Sequence, residues 1–201
     1  MALSIRRYWQ LSWLPLLLGC AEQPPQPQAV TTLTDEQKSM VATQGAALLL
    51  PFKQQLKAAL KNGMAAGPEQ ALQVCKLQAP GIAKGLSFGE VTVGRSSHKL
   101  RNPQNRPSAW LAPVVESFVA NPDQGPVSLS LPYELAAYVE PITVQPMCLS
   151  CHGSDLAPSL GQRIDALYPE DNALGFAPGD FRGVFWVTFK PRRLPSDSPL
   201  Q

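Results

Sequence analysis

Cys148-Leu149-Ser150-Cys151-His152 is the stretch on which the reading of this chain turns. Two thiols three residues apart, followed directly by an imidazole, form the C-x-x-C-H pattern of covalent haem attachment. Each thiol adds across one vinyl group, and the histidine offers a ring nitrogen to the iron from one face. A C-x-x-C redox pair, or half of a zinc site with His152 adjacent by chance, is the competing reading. Zinc asks for a second pair of ligands, and outside the motif only Cys20, Cys75 and His98 remain, well scattered. The motif therefore reads as the attachment site of one covalent haem c, with Cys148, Cys151 and His152 as its binding residues.

Upstream, residues 1–19 read as a lipoprotein signal peptide. Arg6 and Arg7 form a basic n-region, and Tyr8 to Leu18 form an apolar run shorter than the ~20 residues a membrane span needs. The run ends at Leu17-Leu18-Gly19-Cys20, which resembles a bacterial lipobox. That resemblance implies cleavage before Cys20, lipidation of Cys20, and a periplasmic protein anchored to a membrane, in the compartment where c-type haem is attached. An ordinary secretory leader with an incidental cysteine is the alternative. Ala21 after the lipidated residue points to outer-membrane sorting in a cell that has one. Residues 20–33, rich in Pro and Gln, read as the lipidated Cys and an extended tether.

The 201 residues, 44% apolar and 16% charged, suffice for one core and are too few for two. Lys and Arg number 17 against 15 Asp and Glu, and removing Arg6 and Arg7 with the leader leaves the two signs equal. No basic field points to nucleic acid.

The folded part spans residues 34–190, opening with a capping box at Thr34-Asp35-Glu36-Gln37. Apolar residues from Met40 to Leu60 predict a helix that Pro51 kinks or splits and that Asn62-Gly63 and Gly67 close. Pro68 opens a second helix, which runs to about Gln78 before Ala79-Pro80-Gly81 breaks it. Ala71, Leu72, Cys75 and Ala79 share one of its faces, so Cys75 points inward. Val91 to Gly94 reads as a strand, followed by an extended polar segment through Asn102. Extended geometry sets Arg95, Ser97, Lys99 and Arg101 on one side and Ser96, His98 and Leu100 on the other. Arg95 and Arg101 are candidate clamps for haem carboxylates, a solvated basic edge being the bland reading. A helix opens at Pro107-Ser108-Ala109-Trp110 and ends at Asn121-Pro122. Val127–Leu131 and Leu135–Val144 predict strands, Ala157–Leu167 a helix, and Gly183–Phe189 a last buried strand introduced by the turn at Ala177-Pro178-Gly179-Asp180. Helices first, then strands interrupted by short helices, argue an α+β domain with an antiparallel sheet. Residues 191–201 read as a disordered tail.

Four ordered blocks carry a family resemblance: Val74-Cys75-Lys76-Leu77-Gln78-Ala79-Pro80-Gly81-Ile82-Ala83; Val93-Gly94-Arg95-Ser96-Ser97 with Arg101-Asn102-Pro103-Gln104-Asn105; Glu140-Pro141-Ile142 leading into Cys148–Gly153; and Tyr168-Pro169 with Gly179-Asp180-Phe181-Arg182-Gly183-Val184-Phe185. From Thr34 to Lys190 the chain resembles the c-type haem domains of unassigned function that occur alone or as sensory modules of bacterial signalling proteins. The resemblance implies a PAS-like fold and a thiolate from the cysteine of the first block, here Cys75, as second axial ligand of the metal opposite His152. One departure stands out: the position of His98 is usually apolar in that pattern, which keeps a His/His pair in play.

Cysteine accounting fits the resemblance. Cys20 carries lipid, Cys148 and Cys151 bond the haem, and Cys75 is left as a free thiol in an oxidising compartment. Burial as a small hydrophobe is the other explanation for Cys75. On the residues alone, His98, Met40, Met64, Met147 and an open position compete as distal ligands. A Cys/His pair implies a low potential and a bond that weakens on reduction, hence a redox sensor, or a sensor of a small gas or sulfur ligand, working with a separate redox or signalling partner. An electron-transfer cytochrome is the alternative. A haem enzyme acting on peroxide or small sulfur compounds ranks third, because it needs acid–base groups beside an open iron.

Overall fold

The computed structural model describes residues 32–192. The expected signal peptide, the expected lipidation site at Cys20, most of the expected tether and residues 193–201 of the expected tail lie outside the described residues. Helix α1 (Asp35–Ala65) opens on the expected capping box: the Gln37 backbone N–H donates to Thr34 Oγ1 at 3.2 Å, and the Thr34 N–H donates to Gln37 Oε1 at 2.8 Å. Pro51 does not split α1. A proline inside a helix costs ~3 kcal/mol, but Leu49, Phe52 and Leu56 beside it are all buried, and each such side chain returns ~1.5–3 kcal/mol. Packing outweighs the local break.

Helices α2 (Pro68–Gln73) and α3 (Ala79–Leu86) follow. The predicted break at Ala79-Pro80-Gly81 is absent. A π-turn over Val74–Gln78 joins the two helices, and the Ala79 N–H reaches back to Val74 O. Widening the turn by one residue carries the chain through Pro80, which enters the first turn of α3, where an N–H is dispensable.

Strands β1 (Thr92–Ser96), β2 (Val127–Ser130), β3 (Ala136–Thr143) and β4 (Phe181–Phe189) form one antiparallel sheet in the order β1-β4-β3-β2. Helix α4 (Ala112–Ala120) starts later than expected, the stretch from Ser108 being a turn. The sheet is covered on both faces. Tyr138, Val187 and Phe189 meet Val41, Leu49, Phe52 and Leu56 of α1, while Val139 and Val184 meet Leu111, Val114, Val115 and Phe118 around α4. Gly45 lets α1 approach this closely, since a Cβ there would overlap the Tyr138 side chain. The expected α+β class and antiparallel sheet are what the chain forms. Two short helices, α5 (Leu149–His152) and α6 (Pro158–Leu167), sit between β3 and β4. Beyond β4, Arg192 exchanges hydrogen bonds of 3.0 and 3.2 Å with the Gln44 side chain, so this part of the expected 191–201 tail is held to α1. No described helix is long and apolar enough to cross a membrane.

Candidate haem site

The C-x-x-C-H segment begins in a single 3-10 turn, Pro146–Cys148, closed by the Cys148 N–H on Gln145 O at 2.8 Å, and continues as α5. One helical turn brings Cys148 and Cys151 to the same side. The turn ends at Gly153, whose N–H donates to Leu149 O at 2.9 Å; a Cβ there would crowd that carbonyl at 2.7 Å. Cys75, Cys148 and Cys151 are free, half-buried thiols, and burial pushes the Cys151 thiol up, with Arg101 opposing.

All three thiols line one cavity of about 200 Å³ that is partly open to solvent. Leu56, Leu60 and Met64 of α1, together with Ala71 and Leu72 of α2, give it an apolar wall, continued by Ile142 and Phe185 from the sheet. Cys75 of the π-turn, Tyr168, and His152 with Cys148 and Cys151 complete the lining.

His152 is oriented by its backbone surroundings. Its Nδ1 lies 2.7 Å from Ala173 O, so the ring donates there and its Nε2 carries the lone pair. Phe176 stands edge-on to the imidazole at 6.2 Å, and its N–H donates to His152 O at 3.0 Å. Burial, then the nearby Arg182 and Arg101 cations, push the His152 pKa down to about 3. The ring is neutral, the form that ligates metal.

The cations beside the cavity differ from the expected alternation, because the chain bends after Ser96. Ser96 and Leu100 line the cavity along with Arg95, Lys99 and Arg101. Arg101 is not on a solvated edge. It is buried, with Nη2 2.9 Å from Asp171 Oδ2, and Nη2 also donates to Cys151 O at 2.6 Å. Its Nε and Nη2 are engaged by the protein, while the residue as a whole lines the cavity. Arg182, to which no role is assigned from the sequence, also lines the cavity. Its Nη1 donates to Ser97 Oγ at 2.8 Å and to Lys99 O at 3.2 Å, yet it forms no ion pair among the described residues. Burial, then Arg95 and Arg101, lower its pKa to about 10. A half-buried guanidinium among like charges calls for an anion. Its signal in the sequence was its place in a strand: at β4 it flanks Gly183, where a Cβ would strike the Ser96 carbonyl, so β1 and β4 come together at this point.

Of the rival distal ligands, Met64 and Met147 line the cavity, whereas Met40 and His98 do not. His98 is exposed, stacks on Phe181 at 5.4 Å and meets Phe176 edge-on at 6.1 Å. No three His, Cys, Asp or Glu side chains among the described residues gather to hold a bare metal ion. The residues fit a flat, largely apolar group carrying its own iron and its own carboxylates.

None of the curated proteins compared with the chain matches it. Among solved structures, the crystal structure of the cyanobacterial haem protein Tll0287 is similar, with 25% identity and a TM-score of 0.52 over 73% of this chain and 94% of that one. The family model of the Tll0287-like proteins matches residues 2–190, which takes in the whole described sheet and every residue of the cavity. The chain belongs to the Tll0287-like family.

Proposed function

We propose that this chain is a haem protein, with one haem c bonded through Cys148 and Cys151 and its iron held between His152 and the Cys75 thiolate. The observation that carries the reading is the convergence of these four side chains on one apolar cavity, with the His152 ring already anchored at Nδ1 so that Nε2 is the free donor. The similarity to a haem protein supports it. Arg182, Arg95 and Lys99 take the haem carboxylates, and Arg101, held by Asp171 and Cys151 through Nε and Nη2, lines the same cavity. When bound, the haem supplies one-electron chemistry and a position for a small ligand. The chain's own residues exclude water from one side of it, fix the imidazole and neutralise the carboxylates.

The role read from this site is a redox or small-ligand sensor. A thiolate favours ferric iron, and its bond weakens on reduction, which opens a place for a gas or small sulfur species. Lipid at Cys20 anchors the protein in the periplasm, where it meets a separate redox or signalling partner. A second reading, an electron-transfer cytochrome, draws support from the partly open cavity, where Met147 is 38% exposed, because an accessible haem edge suits electron exchange.

Pyridine haemochrome spectra and the mass of the denatured chain test the attachment: one haem remains after acid–acetone extraction, and freely extracted haem sinks the reading. An optical redox titration with carbon monoxide separates the roles. A sensor binds carbon monoxide when reduced, whereas a carrier keeping both ligands resists it. Cys20→Ala releases the protein from the membrane fraction if the anchor is real.

A further inference from the structure

We infer that Asp171, acting through Arg101 and Ala173, is a positioning residue that fixes the axial imidazole of His152 and thereby tunes the iron it ligates. The inference rests on the haem reading and goes beyond it.

The carboxylate of Asp171 reaches the haem motif by two routes. Through Oδ1 it accepts the Ala173 N–H at 2.8 Å, and the carbonyl of that same residue accepts His152 Nδ1–H at 2.7 Å. Through Oδ2 it accepts Arg101 Nε at 3.0 Å and Nη2 at 2.9 Å, and that Nη2 donates to the carbonyl of Cys151 at 2.6 Å, one residue before the ligand. The connections close a ring: Asp171 to Ala173, Ala173 to His152, His152 along the chain to Cys151, Cys151 to Arg101, Arg101 back to Asp171. The adjoining peptide is pinned as well, the Asn172 N–H donating to Leu100 O at 2.8 Å.

Burial makes the ring stiff. The side chains of Arg101 and Asp171 are 8% and 3% exposed, so water does not compete for their hydrogen bonds, and a low surrounding dielectric strengthens them. A hydrogen bond from the far nitrogen of a ligating imidazole fixes its tautomer and plane and raises its donor strength. Slackening the Ala173 loop lengthens that bond. The imidazole becomes a weaker donor with a less defined plane, and ferric iron loses stabilisation relative to ferrous. A merely structural ion pair changes stability, and its charges shift the potential, but it leaves the imidazole plane and the EPR line shape alone.

The test compares full-length, haem-loaded protein with Asp171→Asn and with the double variant Arg101→Met/Asp171→Leu, which removes both charges together and so leaves no buried ion unpaired. The haemochrome assay on the wild type comes first: haem lost on extraction means that the haem reading fails, independently of Asp171. With haem retained, the double variant is expected to show a raised midpoint potential and broadened low-spin ferric EPR lines. Asp171→Asn, which keeps an amide oxygen for the Ala173 N–H, is expected to show a smaller rise and less broadening. Should the double variant not fold, the Asn variant alone decides. An EPR line shape identical to wild type, whatever the change in potential or melting temperature, returns the pair to a structural role and overturns the inference.

Discussion

His152 and Cys75 line the same cavity, yet the protein holds them in unlike ways. The imidazole has a carbonyl at one nitrogen, an aromatic ring at its edge and a buried ion pair two contacts behind it. The Cys75 thiol takes part in no hydrogen bond among the described residues. It sits in a π-turn whose next residue but one, Leu77, is 66% exposed. Widened turns of this kind interrupt the regular ladder and recur at functional sites. The difference teaches which half of the site can yield. On the proposed ligation, a change on reduction would cost the protein little at Cys75, where one turn would give way, and much at His152, where several contacts would have to break together. The asymmetry suits a redox sensor, because a device that signals by losing a ligand needs one that stays.

The largest effect that would break this comparison comes from Asp171→Ala. It leaves the Arg101 cation buried with no carboxylate, a situation that costs ~3–5 kcal/mol. Urea unfolding of the haem-loaded protein should show a loss of that order. A loss below ~1 kcal/mol would mean that water reaches the pair, and the His152 side would then be no stiffer than the other.

A smaller effect follows from acid. In a haem-free Cys148→Ser/Cys151→Ser chain, burial and the Arg182 and Arg101 cations hold the folded-state pKa of His152 near 3, against 6.5 for the free side chain. The unfolded chain therefore binds the extra proton throughout that window. The stability linked to keeping His152 neutral is whole above pH 6.5 and drains away as pH falls toward 3, by about 2 kcal/mol between pH 7 and pH 5. Subtracting the same titration of a His152→Gln partner removes the contribution of the carboxylates. A difference that stays flat from pH 7 to pH 5 would show that the ring is open to water, not enclosed. With iron on Nε2 the proton has no place to bind, so haem attachment should abolish the slope.

The parts of this site legible in the sequence were those whose chemistry is local. Cys148, Cys151 and His152 announce themselves by spacing, and the Thr34 cap by a pattern three residues long. Strands β3 and β4 showed as apolar runs because they are covered on both faces. What stayed hidden depends on partners far along the chain. Pro51 reads as a break until the sheet that holds Leu49, Phe52 and Leu56 is present. Arg101 reads as a clamp for haem carboxylates or a solvated cation, and nothing local announces that Asp171, 70 residues on, pairs with it. Arg182 gained meaning only when β4 paired with β1 and set it beside Ser97. The helix through Cys75 looked broken at Pro80 because no local pattern announces a π-turn. The family resemblance supplied Cys75 as a ligand, and the cavity now gives that residue a setting which its half-buried thiol alone did not.

The smallest expected effect on stability, and the sharpest on the comparison, belongs to Cys75→Ser. The substitution nearly conserves volume at a half-buried position whose thiol makes no hydrogen bond among the described residues, so it should change unfolding free energy by about 1 kcal/mol or less. Covalent haem should be retained in full, since Cys148 and Cys151 are untouched. The spectrum should nonetheless change more than for any variant on the His152 side that keeps the imidazole. The ferric protein loses its thiolate signature, and its potential rises because an anionic donor that favoured ferric iron is gone. His98→Ala is the control, its ring being stacked on Phe181 outside the cavity, and it should leave the spectrum as it was. A Cys75 variant with a wild-type spectrum would mean that the thiol is packing only. Met64, on the last turn of α1 and in the same cavity, is then the next ligand to test, with Met64→Leu. A neutral thioether there would hold iron in both redox states and move the electron-carrier reading to the front.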